Sequence, residues 1–358
     1  MRYLYKISIR FSAENLALNG QPNMSVLYSK HTNLTDTFKF DTNSVIKIEA
    51  NRDFCLSDRV DKLYGNGNSV HIQILKAILL YCLTCNNCVE VKSITMSRKA
   101  KNVNTYYYRQ IKKFQQPFPS RNHIINPLPI GTIINKLSHT KRDYSYRIAM
   151  SYLLREQYSL HAYHKFECLW RAYNCMFRDL TGKSGDNEGI KAMIDHVLNN
   201  RNKYLQTIAY ANAINLTDKV FKFKSFFEDK IDKSNKHCNK FKEFIRYFTK
   251  TDIIGVFNQN KAAIENKIDT KSSLINPNQI KVDINNYLNQ VVEDANKVAV
   301  EKFIFILWYA YYLRNMHFHA VVKEASFSLY SVSKDRHMTL INEFMESFIY
   351  EIFQDDTF

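Results

Sequence analysis

The stretch Trp308 to Val321, WYAYYLRNMHFHAV, passes from apolar residues into four polar side chains, Arg314, Asn315, His317 and His319. Upstream of it, Phe303 to Leu313 is apolar between Lys302 and Arg314, about half the length of a membrane span. A helix that is apolar all round is a buried one. Polar groups at its end need partners or a purpose, because leaving one buried and unpaired costs about 1–3 kcal/mol.

The residue types suit the cleavage of RNA. A histidine whose pKa lies near neutrality takes the proton of a ribose 2′-hydroxyl or protonates a leaving oxygen. A guanidinium is charged at every relevant pH and clamps a phosphate through two parallel donors as charge builds in the transition state. The plainer alternative is a structural helix end, with Arg314 paired to an acid and His319 satisfied within the core.

The segment resembles the R-x4-6-H motif of the HEPN (higher eukaryotes and prokaryotes nucleotide-binding) superfamily. Arg314 matches the arginine, Asn315 the polar residue that often follows it, and His319 the histidine after four intervening positions. The same form occurs in the nuclease domains of type VI CRISPR effectors and in abortive-infection ribonucleases. The resemblance implies a helical bundle that dimerises, or meets another HEPN-containing partner, so that two motifs form one composite site. It also implies metal-independent endoribonuclease activity with no cofactor, leaving 2′,3′-cyclic phosphate and 5′-hydroxyl ends. Its setting would be antiviral defence, toxin activity or RNA processing; a non-catalytic HEPN-like module that binds RNA or a protein is the alternative. Residues 1–115 resemble no family.

On an ideal helix, positions five apart are separated by about 140°, so Arg314 and His319 do not share a face. A distorted helix or a second subunit would bring them together, and His317, three positions along, is the secondary catalytic candidate. A second match, Arg155 to His161 (REQYSLH), precedes the helix in which the motif belongs and is read as coincidence or RNA contact.

Working outward, His161 to Leu180 places Phe166, Leu169, Trp170, Tyr173 and Phe177 on one apolar stripe at helical spacing. Its other face carries Glu167, Arg171 and Asn174, expected as a solvated i, i+4 pair and its neighbour. Past Pro277 neither glycine nor proline occurs, which predicts helices to the end of the sequence. Before it, Arg2 to Phe11, Ser44 to Ala50 and Val89 to Met96 alternate as strands do, while His71 to Leu83 is apolar at helical spacing. Pro117, Pro119, Pro127 and Pro129 cluster between these regions. The expected architecture is an α+β domain over 1–115, a proline-rich linker over 116–145, and a mainly α-helical, HEPN-like bundle over 146–358. A lysine-rich insertion is expected at about 219–276, with its phenylalanines on the inner face of an amphipathic helical pair.

Composition agrees with a folded chain that meets a polyanion. Of 358 residues, 24 are Phe and 23 Tyr, too much core material for disorder, and the formal net charge is +16. Arg98 to Phe114 interleaves cations that would track phosphates with rings that would stack bases. The RNA-binding candidates there are Arg98, Lys99, Lys101, Tyr106, Tyr107, Tyr108, Arg109, Lys112 and Lys113. The opening residues have no continuous apolar core, so a cytoplasmic protein without a membrane partner is expected. Thr181 to Ser184 (TGKS) imitates the end of a phosphate-binding loop, but Phe177 stands where that loop requires glycine, and Gly182 reads as a helix terminator. Cys82, Cys85 and Cys88 have spacing that suits a metal, yet lack a fourth cysteine at Lys92; buried reduced thiols are the preferred reading.

Overall fold

The structure, a computed structural model, describes residues 3–28, 34–53, 69–85, 89–100, 107–111, 127–139, 141–157, 159, 161–217, 220–232, 237–271, 274, 276–318 and 336–357. An N-terminal antiparallel sheet is followed by a mostly helical region, and the chain divides into two compact units, Met1–Gly182 with Phe353–Phe358, and Lys183–Ile352.

The first unit is built on alternation. Strand β1 (Tyr3–Phe11) buries Tyr5, Ile7, Ile9 and Phe11 and leaves Lys6 and Arg10 exposed, the period of two read from the sequence. It lies at the middle of a six-stranded sheet in the order β2 (Met24–Leu27), β3 (Thr35–Thr42), β4 (Val45–Arg52), β1, β5 (Val91–Ala100), β6 (Tyr107–Ile111). The register sets Ile7 between Ile48 and Met96, so a continuous apolar band runs across three strands. Helix α1 (Ser69–Thr84) lies against this band, where Phe11 stacks on Tyr81 with ring centroids 3.6 Å apart.

Three further helices follow, α2 (Ile130–Leu137), α3 (Asp143–Gln157) and α4 (Ala162–Thr181). They are tied to the sheet through Lys76 of α1, which is 1% exposed. Its ammonium donates to the carbonyls of Leu27 (2.7 Å) and Leu137 (2.5 Å) and stands 3.4 Å from the Asp143 carboxylate. A charge so buried is tolerated because all three of its protons face acceptors. The chain's last residues return to the same unit, where Lys136 donates to the carbonyl of Asp355 at 2.6 Å.

The domain boundaries therefore differ from expectation. Residues 130–137 and 143–145 of the expected linker are helical, and α2, α3 and α4 all belong to the unit that contains the sheet. Prolines end at Pro129, which precedes α2 as its cap, so they mark a helix start there instead of a linker through residue 145. The division falls at Gly182, whose φ of 66° ends α4 as its left-handed cap.

The second unit is helical: α5 (Asp186–Asn199), α6 (Leu205–Ala213), α7 (Phe223–Asp232), α8 (His237–Ile245), α9 (Thr251–Gln259), α10 (Lys261–Asp269), α11 (Pro277–Asn289), α12 (Ala295–Phe318) and α13 (Arg336–Gln354), the last up to Ile352. Phenylalanines of the lysine-rich stretch form its core. Phe226 packs on Phe305 (5.7 Å), Tyr309 (5.5 Å) and Tyr312 (5.5 Å) of α12, and Phe227 on Phe257 (4.9 Å). The stretch expected as an insertion thus supplies the partner surface that α12 needs to be buried all round.

Helix ends in this unit are capped from a distance. The fully buried Glu301 accepts from the backbone N–H groups of Thr249 and Lys250, both at 2.6 Å, at the start of α9. The next residue, Lys302, donates to the carbonyls of Asn212 (3.1 Å) and Ile214 (3.0 Å) at the end of α6. Glu351 accepts from Gln206 (2.8 Å) and Thr207 (3.0 Å) at the start of α6. Acid at an N-terminus and base at a C-terminus both oppose the helix dipole and satisfy orphan backbone groups. Among the described residues no helix is long and apolar enough to cross a membrane.

Candidate functional site

Helix α12 carries the candidate site on its last turns. Val300 to Ala310 are buried without exception, and the burial loosens only from Tyr311 onward. Arg314 is the first charge to appear, with its side chain 20% exposed. Its Nη1 donates to Oδ1 of Asn315 at 2.9 Å and lies 3.4 Å from Oδ2 of Asp186, at the start of α5. Asn315 is buried, and Tyr311, one turn earlier, adjoins it on the same helix face. Burial raises the Tyr311 phenol above its ordinary pKa, Asp186 adds to the rise, and Asn315 and Arg314 oppose it. The phenol is therefore neutral at physiological pH.

His317 stands in a different environment. Burial, assisted by the positive charge of Lys222, pushes its imidazole down to about 4. A ring so held is neutral at pH 7; it accepts a proton weakly and supplies no imidazolium to a leaving group. His319 lies outside the described residues. Of the four polar residues that end the apolar helix, the structure thus brings Arg314 and Asn315 together with Asp186 and Tyr311, and sets His317 beside Lys222.

Asp186 and Tyr311 were not picked out by the sequence. Tyr311 was accessible in principle, since it precedes Asn315 by one helical turn. Asp186 carries only the ordinary signal of an acid in a first helical turn, and nothing local connects it with an arginine so far along the chain.

The remaining candidates separate as follows. Arg98 and Lys99 are half-buried residues of β5, and Arg98 lies 5.9 Å from the ring centroid of Tyr3. Tyr107, Tyr108 and Arg109 form backbone pairs in β6, where Tyr108 is registered against Ser97. Lys101, Tyr106, Lys112 and Lys113 lie outside the described residues. Cys82 and Cys85 are buried free thiols at the end of α1, and Cys88 lies outside the described residues. Arg155 and His161 stand at the adjoining ends of α3 and α4, where Ser159 donates to the Arg155 carbonyl at 3.1 Å and lies 3.2 Å from His164. Arg171 donates to Glu167 at 2.7 Å on the exposed face of α4, the expected solvated pair.

Comparison with protein-family models, with curated proteins and with solved structures returned no match to this chain.

Proposed function

We propose that this chain is a HEPN-like, metal-independent endoribonuclease acting as a homodimer, with Arg314 binding the scissile phosphate and His319 transferring the proton. The observation that carries the reading is the placement of Arg314 beside Asn315 at the end of an otherwise buried helix, with the guanidinium partly exposed and oriented by Asp186. In the reaction, the imidazole of His319 takes the proton of the 2′-hydroxyl as that oxygen attacks phosphorus. The bond from phosphorus to the 5′-oxygen breaks, the 5′-oxygen gains a proton, and a 2′,3′-cyclic phosphate remains. Arg314 stabilises charge on the non-bridging oxygens, where a guanidinium is worth more in the transition state than in the ground state. The imidazole of His317, held neutral and weakly basic, leaves His319 as the better-matched acid–base group. The net charge of +16 favours a polyanionic substrate.

A second reading is favoured by one contact. The Arg314–Asp186 ion pair is what a structural helix end requires, and it suits a non-catalytic module that binds RNA without cutting it. Incubation of the purified chain with mixed RNA and excess EDTA separates the two. The ribonuclease reading expects cleavage that Arg314→Ala and His319→Ala each abolish. Retention of intact RNA by both the unmodified chain and the variants would leave only the binding module.

A further inference from the structure

A cavity of about 210 Å³ opens in the second unit between the ends of α5, α7, α8 and α12. It adjoins the Arg314 cluster through two pairs of residues close in sequence. Tyr311 lines it and stands one turn before Arg314; Asn187 lines it and follows Asp186, the partner of Arg314. Phe244, Tyr247, Trp308 and Tyr312 supply the rest of its aromatic wall. Drug-sized ligands occupy roughly 300–1,000 Å³, so this space admits one planar ring system and not a longer molecule.

The polar lining carries both signs of charge. Lys230 is held inside by the rings, with its ammonium 3.6 Å from the centroid of Trp308 and 4.7 Å from that of Phe244. Lys240 adds a second ammonium, and Asp229 and Glu243 add carboxylates. Aromatic walls that stack a base, next to a guanidinium suited to phosphate, are the two parts of a single-strand subsite. We infer that this cavity seats one nucleobase of a single-stranded RNA chain, and guanine in preference to the other three. The inference deepens the ribonuclease reading and rests on it for the identity of the polymer.

The preference follows from donor and acceptor order. Guanine offers O6 and N7 as adjacent acceptors, which lysine and arginine recognise, and N1–H and the 2-amino group as adjacent donors. A carboxylate accepts from both of those donors at once. Uracil has one ring donor, cytosine one amino group, and adenine lacks the donor at N1. A lining with ammonium and carboxylate groups together therefore discriminates most strongly for guanine.

Intrinsic fluorescence tests this without any cleavage. The chain has two tryptophans, Trp170 and Trp308, so a Trp170→Phe background makes Trp308, in the cavity wall, the single reporter. The full chain is titrated with the four nucleoside 3′-monophosphates and with ribose 5-phosphate. Guanosine 3′-monophosphate is expected to quench saturably and to bind at least about tenfold tighter than the uridine nucleotide. Glu243→Gln, at an exposed position, is expected to weaken the guanosine nucleotide by about tenfold and the others by less than about twofold. Absence of saturable quenching, or equal quenching by all four nucleotides and by ribose 5-phosphate, overturns the inference. If RNA is cleaved while no nucleotide quenches, the base seat fails and the ribonuclease reading stands. If guanosine 3′-monophosphate binds through Glu243 while RNA stays intact, the seat stands and the ribonuclease reading fails.

Discussion

Arg314 and Asp186 meet across the second unit, with Nη1 and Oδ2 3.4 Å apart and both side chains largely shielded from solvent. The contact joins the end of α12 to the start of α5. It fixes the direction of the guanidinium, and a carboxylate at that distance is one that a phosphate can compete with. The same pair therefore serves either a structural end to the helix or a phosphate clamp set in advance, and substitution separates them.

Asp186→Asn keeps the shape of the side chain and removes its charge. As an orienting group for Arg314, its loss should lower RNA cleavage by about tenfold, the equivalent of ~1.4 kcal/mol in the barrier. Arg314→Ala should lower cleavage by about a hundredfold or more, as the loss of a transition-state donor does. Partly exposed ion pairs contribute about 0–1 kcal/mol to stability, so the thermal midpoint of Asp186→Asn should stay close to that of the unmodified chain. Single-turnover cleavage rates measured beside thermal melts decide the matter. A large fall in melting temperature with no cleavage in any variant would mark the pair as structural.

The neutral His317 predicts an acid-side loss of stability. Its folded pKa of about 4 lies below the ordinary imidazole value of 6.5. Between those values the unfolded chain binds a proton that the folded chain does not, so stability falls as pH drops from about 6.5 to about 4. Above 6.5 both states are neutral and the contribution is fully present. His317→Gln should flatten this part of the profile of stability against pH, read from denaturant midpoints across the range. An unchanged slope would show the ring to be solvated in solution.

Glu301 is expected to matter more than any exposed charge. Glu301→Ala strands the N–H groups of Thr249 and Lys250 at the start of α9, and bonds to a charged group contribute about 1.5–3 kcal/mol each. A loss of at least about 3 kcal/mol should appear in chemical denaturation. Glu301→Gln, which retains one carbonyl acceptor, should recover part of it.

In the lysine-rich stretch, Phe226→Ala and Lys224→Ala should differ sharply. Phe226 is fully buried among the rings of α12 and Lys224 is exposed. The first should cost about 3–5 kcal/mol, and the second less than about 0.5 kcal/mol. Equal effects would mean that the aromatic cluster is not the core of this unit.

Much of the architecture was legible because it rests on local periodicity. The alternation of Arg2 to Phe11 placed Ile7 and Ile9 on a buried sheet face, and the spacing from Phe166 to Phe177 placed an aromatic stripe on α4. The unbroken apolar run ending at Arg314 marked a helix buried on every side, and its first charge marked the candidate site. The unit boundary was not legible in the same way. Prolines show where extended backbone is favoured, whereas a compact unit is defined by which helices cover which apolar surface, and α2, α3 and α4 share a unit with the sheet.

By itself, the sequence determined the elements and the chemical inventory: strands, buried helices, the basic charge, and an arginine, an asparagine and two histidines at one helix end. Only tertiary structure decided which groups meet. Asp186 pairs with Arg314, Lys222 depresses His317, and Glu301 caps a helix distant from it in sequence. The physical reason is range. Helical and strand periods arise from bonds between near neighbours along the chain, while ion pairs, pKa shifts and cavities depend on distances that packing alone sets.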